Sequence, residues 1–166
     1  MLLVLIVESQ KSNLGLIKKQ LDKSSQSRQN ICLYSFNALE PAMNFVSSQL
    51  RELAQTYQHD EHDEALNINF KQPFALVLCD EELEDGSAWE LKSLLTKVLA
   101  RHKQSFLKRQ LAAGHKLSDF ESKEIFESPT FALCSKNGQI SGQLREKALK
   151  AQVEYILRKP ADAETI

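Results

Sequence analysis

The 166-residue sequence is poor in glycine and lacks the short motifs that mark several classes of enzyme. Its five glycines form no glycine-rich phosphate loop, and no GxSxG motif occurs. No cysteine has a histidine at a spacing suited to nucleophilic catalysis. These absences argue against a small enzyme that uses a phosphate loop, a serine elbow or a cysteine nucleophile.

Cysteine is also scarce, and the cysteines present have no metal-binding or redox spacing. Cys32, Cys79 and Cys134 each lie in a separate apolar run, without a CxxC motif or a Cys/His ligand pattern. Cysteines in such runs behave as small apolar core residues. We therefore expect three reduced thiols in the core of a cytoplasmic protein.

Long apolar runs and an excess of one charge are missing as well. The opening MLLVLIVE lacks a basic flank and ends at Glu8 after about seven apolar residues, which suits neither a membrane span nor a signal peptide. The formal net charge of -1 gives no reason to expect nucleic acid or an anionic membrane as a direct partner. With 42% hydrophobic and 26% charged residues, the chain is typical of one soluble globular domain.

The sequence does contain a regular alternation of short apolar runs and longer amphipathic segments. The runs that predict strands are Leu2–Val7, Asn30–Phe36, Phe74–Cys79, Phe131–Ser135 and Val153–Leu157. Segments with apolar residues at helical spacing lie between them, at residues 14–23, 38–58, 87–114 and 139–151. Strands that alternate with helices predict a parallel sheet with right-handed crossovers and helices on both faces. The predicted fold is therefore α/β, a doubly wound (βα)5-type three-layer sandwich with a five-stranded parallel sheet.

The end of the sequence bears on the domain organisation. The chain stops at PADAETI, where a fifth helix would begin. We expect residues 1–166 to form a single domain whose final helix is missing or truncated; the alternative is that a partner covers the exposed face of the sheet. We also expect this domain to be the N-terminal module of a longer protein.

Two charged stretches each have two interpretations. The segment His59–Gln72 contains His59 and His62 among four acids, which is compatible with a metal cluster but is more typical of a solvated surface loop. The second half of the helical segment 87–114 is basic, which fits a solvated face better than a contact with nucleic acid.

The predicted strands end in residues that suit phosphoryl chemistry. Glu8 and Ser9 follow the first strand, Asp80 follows the third, Ser135 ends the fourth and Lys159 follows the fifth. In a doubly wound sheet these ends lie along one edge, so the side chains should surround one small volume. A carboxylate can attack a phosphoryl group, a second acid can help to hold a divalent cation, and a lysine and a hydroxyl can bind the transferred oxygens. The sequence thus predicts a phosphoryl-accepting site in outline.

These segments resemble the receiver domain of two-component signalling, the module of response regulators and hybrid sensor kinases. LLVLIVES is similar to the family's first strand with its acidic pair, and LVLCDEELEDGSAWEL to the phosphoacceptor aspartate with its loop and glycine. FALCSK is similar to the Thr/Ser strand, and YILRKP to the closing Lys-Pro. The resemblance covers nearly the whole chain and implies a flavodoxin-like fold.

The resemblance also implies roles for single residues. Asp80 would be the phosphoacceptor, with Ser135 as the switch hydroxyl and Lys159 as the ligand of the phosphoryl oxygens. Mg2+ would be held by the carboxylates of Glu8 and Asp80 and by the backbone carbonyl of Glu82. Such a domain is a signalling module and not an enzyme, a phosphoryl acceptor at most.

The sequence departs from the receiver pattern at two positions and in two lengths. Ser9 stands where the family has a second acid, so Mg2+ affinity should fall. Ile156 stands where an aromatic residue is usual, and Tyr155 lies one position earlier, on the opposite face of the strand. Residues 59–72 and about 101–129 form segments longer than usual, where partners of such domains often dock.

Two functions stay open under this resemblance. In the first, a histidine kinase or phosphotransfer protein passes a phosphoryl group to Asp80, and the added charge shifts a two-state surface linked to an output domain in the same longer chain. In the second, the chain is a pseudo-receiver, an interaction or homodimerisation module that is not phosphorylated. Neither function involves a membrane or direct contact with nucleic acid.

By the same resemblance, Pro160 would shape the loop after the last strand.

Overall fold

The computed structural model describes residues 2–25, 31–59, 74–112, 114, 129–135 and 140–159. In chain order its elements are β1 (Leu2–Val7), α1 (Lys11–Ser25), β2 (Ile31–Phe36), α2 (Leu39–His59), β3 (Leu76–Asp80), β4 (Glu82–Leu83), β5 (Gly86–Ser87), α3 (Ala88–Ala112), β6 (Thr130–Ser135), α4 (Gly142–Lys150) and β7 (Tyr155–Arg158). The suggested metal cluster around His62, residues 60–72 and 115–128 of the two longer segments, and Pro160 lie outside the described residues.

Five strands form one parallel sheet in the order β2-β1-β3-β6-β7, as predicted. After β2 the chain returns across β1 to build β3 on its other side, so the direction of winding reverses between β1 and β3. At such a switch point the connections leave in opposite directions and open a crevice at the carboxyl ends of the strands. The ends of β1 and β3 therefore lie where an α/β sheet binds its ligands.

Helices cover both faces of the sheet and complete the three expected layers. On one face, α2, α3 and α4 contribute Val46, Leu91 and Leu144 to the larger core. On the other face, Leu14 and Ile17 of α1 pack against a smaller core formed by alternate residues of β1, β3 and β6. Because the central strands are buried on both faces, they need apolar residues at every position, which is why they read as unbroken apolar runs. Among the described helices, none is long and apolar enough to cross a membrane.

A small hairpin between β3 and α3 was not predicted. β4 pairs antiparallel with β5 through Glu82 with Ser87 and Leu83 with Gly86. Strands of two residues are too short to show any periodicity, so the sequence pattern did not indicate them. With Glu81, the hairpin makes up the whole connection between Asp80 and α3.

Asp85, at the turn of this hairpin, holds the start of α2. Its two carboxylate oxygens accept hydrogen bonds from the backbone N–H groups of Leu39 at 2.7 Å and Glu40 at 2.8 Å. The bonds from Glu40 and Leu39 lower the pKa of Asp85, because they favour the charged carboxylate. Next to it, Gly86 has a φ of +154°, and a Cβ there would overlap Cδ2 of Leu39. The loop after Asp80 is thereby fixed against α2.

The last strand differs from its predicted bounds and is partly exposed. β7 spans Tyr155–Arg158, whereas the sequence predicted Val153–Leu157. Tyr155 and Leu157 are 59% and 44% exposed, while Ile156 between them packs against the larger core. β7 lies at the edge of the sheet beside β6, and its residues alternate between the core and the opposite face.

The cysteines are free thiols, and two of them belong to the core. Cys79 and Cys134 are buried, and Cys32 is half-buried on β2. Burial raises the pKa of Cys79 far above its usual value and raises the pKa of Cys134 to about 11. Both thiols are therefore protonated near neutral pH and act as small apolar side chains.

Replacing Gly86 by alanine should destabilise the fold, because the added Cβ would meet Leu39 on a backbone with positive φ. We expect the free energy of unfolding, measured by urea denaturation, to fall by about 1–3 kcal/mol. Gly15→Ala is the matched control, since Gly15 lies in α1 with no described atom within 4 Å of an added Cβ. There the same change should raise the free energy of unfolding by about 0.5–1 kcal/mol. Equal effects at the two positions would contradict the packing of the hairpin on α2.

Candidate functional site

Three charged side chains meet at the carboxyl edge of the sheet. Glu8 follows β1 and Asp80 ends β3, and each residue is only 1% exposed. Lys159 follows β7, and its Nζ lies 2.7 Å from Glu8 Oε1 and 2.5 Å from Asp80 Oδ1. The structure thus brings together three of the predicted site residues, of which Glu8 and Lys159 are 151 positions apart in the sequence.

The sheet holds the backbone of these residues although they stand at or just beyond the strand ends. The N–H of Lys159 donates to the carbonyl of Ser135 at 3.1 Å, which extends the β6–β7 pairing past Arg158. In the same way, the N–H of Glu8 donates to the carbonyl of Phe36 at 3.0 Å and extends the β1–β2 pairing. The side chains therefore project from a fixed frame into one volume.

Burial and charge oppose each other in this pocket. Burial raises the pKa of Glu8, although Lys159 acts in the lowering direction. Burial alone would lower the pKa of Lys159, but the adjacent carboxylates of Asp80 and Glu8 outweigh it, and the pKa of Lys159 is raised. The ammonium group is therefore charged at neutral pH, where it compensates for one of two buried carboxylates.

Ser9 contacts Asp80 directly. Its backbone N–H and its hydroxyl both donate to Asp80 Oδ2, at 3.2 and 3.1 Å. Lys159 contacts the other carboxylate oxygen, Oδ1. Asp80 is thus held by neutral donors on one oxygen and by a cation on the other. From the sequence, Ser9 was identified only as a position where the family has an acid. Its hydrogen bond to Asp80 was not predicted, because a sequence pattern does not reveal the acceptor of a serine hydroxyl at a strand end.

Ser135 ends β6 beside the pocket, but its hydroxyl is bonded to a residue that the sequence analysis did not single out. Ser135 is 1% exposed, and its Oγ donates to Glu81 Oε2 at 3.0 Å. The expected direction was toward the volume around Asp80. Asp80 pairs with Cys134, so Glu81, the residue after β3, and Ser135, the last residue of β6, are neighbours. This register is not visible in the sequence.

Glu82 lies two residues after Asp80, in β4, and its side chain is exposed. A metal ligand supplied by Glu82 would therefore be its backbone carbonyl, as the resemblance implied. At the other end of the site, Ile156 faces the larger core and Tyr155 is exposed, in agreement with the predicted alternation.

Two carboxylate oxygens of the pocket bear on whether it could hold a cation. Glu8 Oε2 is buried without a hydrogen-bond partner among the described residues. Asp80 Oδ1 is also buried, and its contact with Lys159 is an ion pair without the directionality of a hydrogen bond. Mg2+ is commonly bound by one or two carboxylates together with waters and phosphate oxygens. Within the described part of the chain, no group of three or more His, Cys, Asp and Glu side chains suits a metal ion, so a cation here would also need backbone and water oxygens.

Comparison with known proteins gives no match by sequence but several by structure. No protein-family model and no curated protein matches this sequence. A response regulator receiver domain from Rhodospirillum rubrum is similar with a TM-score of 0.59 at 12% identity, covering 98% of this chain and 84% of that one. The receiver domain of the histidine kinase CKI1 from Arabidopsis thaliana, crystallised with Mg2+, is similar with a TM-score of 0.58 at 15% identity, covering 93% of this chain and 81% of that one.

A third similar structure is a response regulator protein from Burkholderia pseudomallei with a phosphorylated aspartic acid, a calcium ion and citrate. Its TM-score is 0.50 at 12% identity, and the match covers 99% of this chain and 64% of that one. At these identities the likeness concerns the fold. The chain has the α/β three-layer fold of response regulator receiver domains, with the five-stranded parallel sheet in the order given above.

Replacing Lys159 by methionine should destabilise the protein strongly, because Glu8 and Asp80 would remain buried without their cation. We expect a loss of about 3–5 kcal/mol in the free energy of unfolding at pH 7–8. The loss should shrink toward pH 5. The pKa of Glu8, already raised in the folded state, would rise further in the variant, so the folded protein would bind protons that the unfolded chain does not.

The control for this substitution is Lys150→Met. Lys150 pairs with Glu146 at 2.7 Å on the surface of α4, where the two side chains are 74% and 66% exposed. Its loss should change the free energy of unfolding by less than about 0.5 kcal/mol. A Lys159→Met variant as stable as Lys150→Met, or one without pH dependence, would contradict the buried ion pair.

Proposed function

We propose that this receiver fold accepts a phosphoryl group on Asp80 from a phosphohistidine of a histidine kinase or phosphotransfer protein. The observation that carries the proposal is the pair of contacts that Lys159 makes with Asp80 and Glu8 at the carboxyl edge of the sheet. A buried carboxylate beside an ammonium group is a suitable nucleophile for a phosphoryl group, because the cation can bind the oxygens that are transferred.

In the proposed reaction, an Asp80 oxygen attacks the phosphorus of the donor. The new O–P bond forms as the P–N bond of the phosphohistidine breaks, and the imidazole nitrogen leaves with the bonding electron pair and takes up a proton. Lys159 moves with the transferred oxygens and remains charged, since its pKa is raised. The positioning and the charge come from the protein, and no side chain has to act as a base at the reacting oxygen.

Mg2+ belongs to this proposal as the cation that offsets the negative charge of the phosphoryl oxygens. Glu8 and Asp80 would hold it with their carboxylates, and Glu82 with its backbone carbonyl. The buried Oε2 atom of Glu8, which has no hydrogen-bond partner among the described residues, supports this assignment. Only two carboxylates contribute, so we expect weak Mg2+ binding before the phosphoryl group supplies further oxygens.

The remaining parts of the proposal concern signalling. The phosphoryl group on Asp80 would carry about two negative charges where the carboxylate carried one, in a pocket that Lys159 balances only in part, and this added charge would bias a two-state surface. The chain would act as the receiver module of a cytoplasmic signalling system whose output domain senses that surface. Homodimerisation is one way in which such a surface could be used.

A pseudo-receiver is the second candidate, and Ser9 favours it. The hydroxyl and the backbone N–H of Ser9 both donate to Asp80 Oδ2. An acid in place of Ser9 would instead bind the metal ion. If the pocket binds no Mg2+, the same fold would serve as an interaction module independent of phosphorylation. The two candidates differ in one measurable property, the response to a phosphoryl analogue.

Beryllofluoride with Mg2+ tests the proposal, because it mimics a phosphoryl group on a carboxylate without covalent transfer. We expect the wild type to bind it at millimolar Mg2+, detected by fluorine NMR and by the fluorescence of Trp89, the single tryptophan, which packs against the larger core. Asp80→Asn keeps the size of the side chain and should abolish binding. A wild type that does not respond would contradict the phosphoacceptor function and favour the pseudo-receiver.

Ser9→Asp should strengthen Mg2+ binding by about tenfold or more, because a third carboxylate would join the pocket. Without metal the variant should be less stable than the wild type, since it loses the hydrogen bond to Asp80 and places a like charge beside it. Mg2+ titrations of both proteins by calorimetry, together with urea denaturation, measure the two effects. Binding that appears only in Ser9→Asp would favour the pseudo-receiver for the natural sequence.

A further inference from the structure

The hydrogen bond between Ser135 and Glu81 points to a restraint built into this pocket. We infer that Glu81 is a positioning residue that holds the Ser135 hydroxyl away from the phosphoryl site. A phosphoryl group on Asp80 would have to break this hydrogen bond before the hydroxyl could bind it. The inference rests on the proposed function and adds a regulatory element to the same site. Glu81 would lower the affinity of the pocket for the phosphoryl group and so restrict the switched state to strong donors.

The geometry of Glu81 is fixed from both sides. Its N–H donates to the carbonyl of Cys134 at 3.0 Å, and its carbonyl accepts from the N–H of Ala88 at 3.2 Å. The first bond ties Glu81 to β6 beside Ser135, and the second ties it to the start of α3. The Glu81 carboxylate is therefore presented to Ser135 by a backbone that cannot turn freely.

Burial of Ser135 makes its hydrogen bond to Glu81 matter for binding. Ser135 is 1% exposed, so water cannot readily replace a protein partner of its hydroxyl. A serine hydroxyl has one proton to donate, and that proton is directed to Glu81 Oε2 at 3.0 Å. The same proton cannot also be donated to a phosphoryl oxygen on Asp80. Binding of the phosphoryl group through Ser135 therefore requires the bond to Glu81 to break.

The charge of Glu81 strengthens this competition. A hydroxyl bound to a carboxylate makes a charge-assisted hydrogen bond, stronger than one between neutral groups. Glu81 is half-buried, so solvent weakens the bond but does not abolish it. We expect the restraint to lower the affinity for a phosphoryl analogue by about tenfold.

The experiment is a titration of the full chain with beryllofluoride at saturating Mg2+, followed by fluorine NMR. Glu81→Ala should bind about tenfold more tightly than the wild type, and Glu81→Gln, which keeps a neutral acceptor, about threefold more tightly. Glu84→Ala is the matched control: Glu84 is an exposed acid in the same loop, and its removal changes the net charge equally. Its affinity should stay within about twofold of the wild type.

A double-mutant cycle with Ser135→Ala shows whether Glu81 acts through Ser135. In the Ser135→Ala background, Glu81→Ala should no longer increase the affinity beyond the effect of Glu84→Ala. A full gain in that background would mean that Glu81 acts by charge alone, and it would overturn the inference. A loss of affinity in Glu81→Ala would overturn it too, since Glu81 would then assist binding.

The outcomes separate the inference from the function on which it rests. If the wild type binds beryllofluoride through Asp80 and Glu81→Ala binds it equally well, only the inference fails. If neither the wild type nor any Glu81 variant binds it, the proposed function fails, and the inference fails with it. If Glu81→Ala binds it and the wild type does not, the natural sequence is a pseudo-receiver, and the inference of a restraint on a working phosphoacceptor is overturned with the proposed function.

Discussion

The double contact of Lys159 with Glu8 and Asp80 is the interaction on which the rest of the site depends. It joins the end of β1 to the residue after β7 and spans β3 and β6, the two strands that lie between them in the sheet. Two carboxylates that are almost fully buried at one sheet edge repel each other and lack water, so they require a cation in the same volume. The fold supplies that cation by extending the β6–β7 pairing to Lys159. The requirement links stability and function, because the group that stabilises the resting pocket is also the group available to a phosphoryl oxygen.

Around this ion pair, the pocket holds its polar groups in a resting arrangement. Ser9 donates a hydrogen bond to one carboxylate oxygen of Asp80, and Glu81 accepts the hydrogen bond of the Ser135 hydroxyl. In both cases a neighbouring residue of this chain binds a group that the proposed reaction needs. Such contacts lower the reactivity of a site without blocking it, since they are part-buried hydrogen bonds that a doubly charged ligand can replace. On the proposed function, the pocket would respond only to a strong phosphoryl donor, and one further loss of affinity would leave a pseudo-receiver.

The sequence predicted the sheet and the placement of Glu8, Asp80 and Lys159, because strands buried on both faces leave unbroken apolar runs and the residue at which each run stops is visible. It did not predict the hairpin after Asp80, whose two-residue strands carry no period, or the contact of Asp85 with α2, which joins residues 46 positions apart. The partner of the Ser135 hydroxyl was also missed. Hydroxyl direction depends on the neighbouring strand, and the register between strands emerges only when the sheet is assembled. The pattern of apolar runs thus located the site, while tertiary contacts determined the hydrogen-bond partners of its side chains.

The most direct test of this account is to locate the phosphoryl group on the protein chemically. The chain would be incubated with acetyl phosphate and Mg2+ and reduced with borohydride, which converts an aspartyl phosphate to homoserine, and the modified residue would be found by tandem mass spectrometry. We predict homoserine at position 80 alone, in an amount that depends on Mg2+. Modification of another carboxylate, or none under conditions in which the protein is folded, would contradict the assignment of Asp80 as the phosphoacceptor.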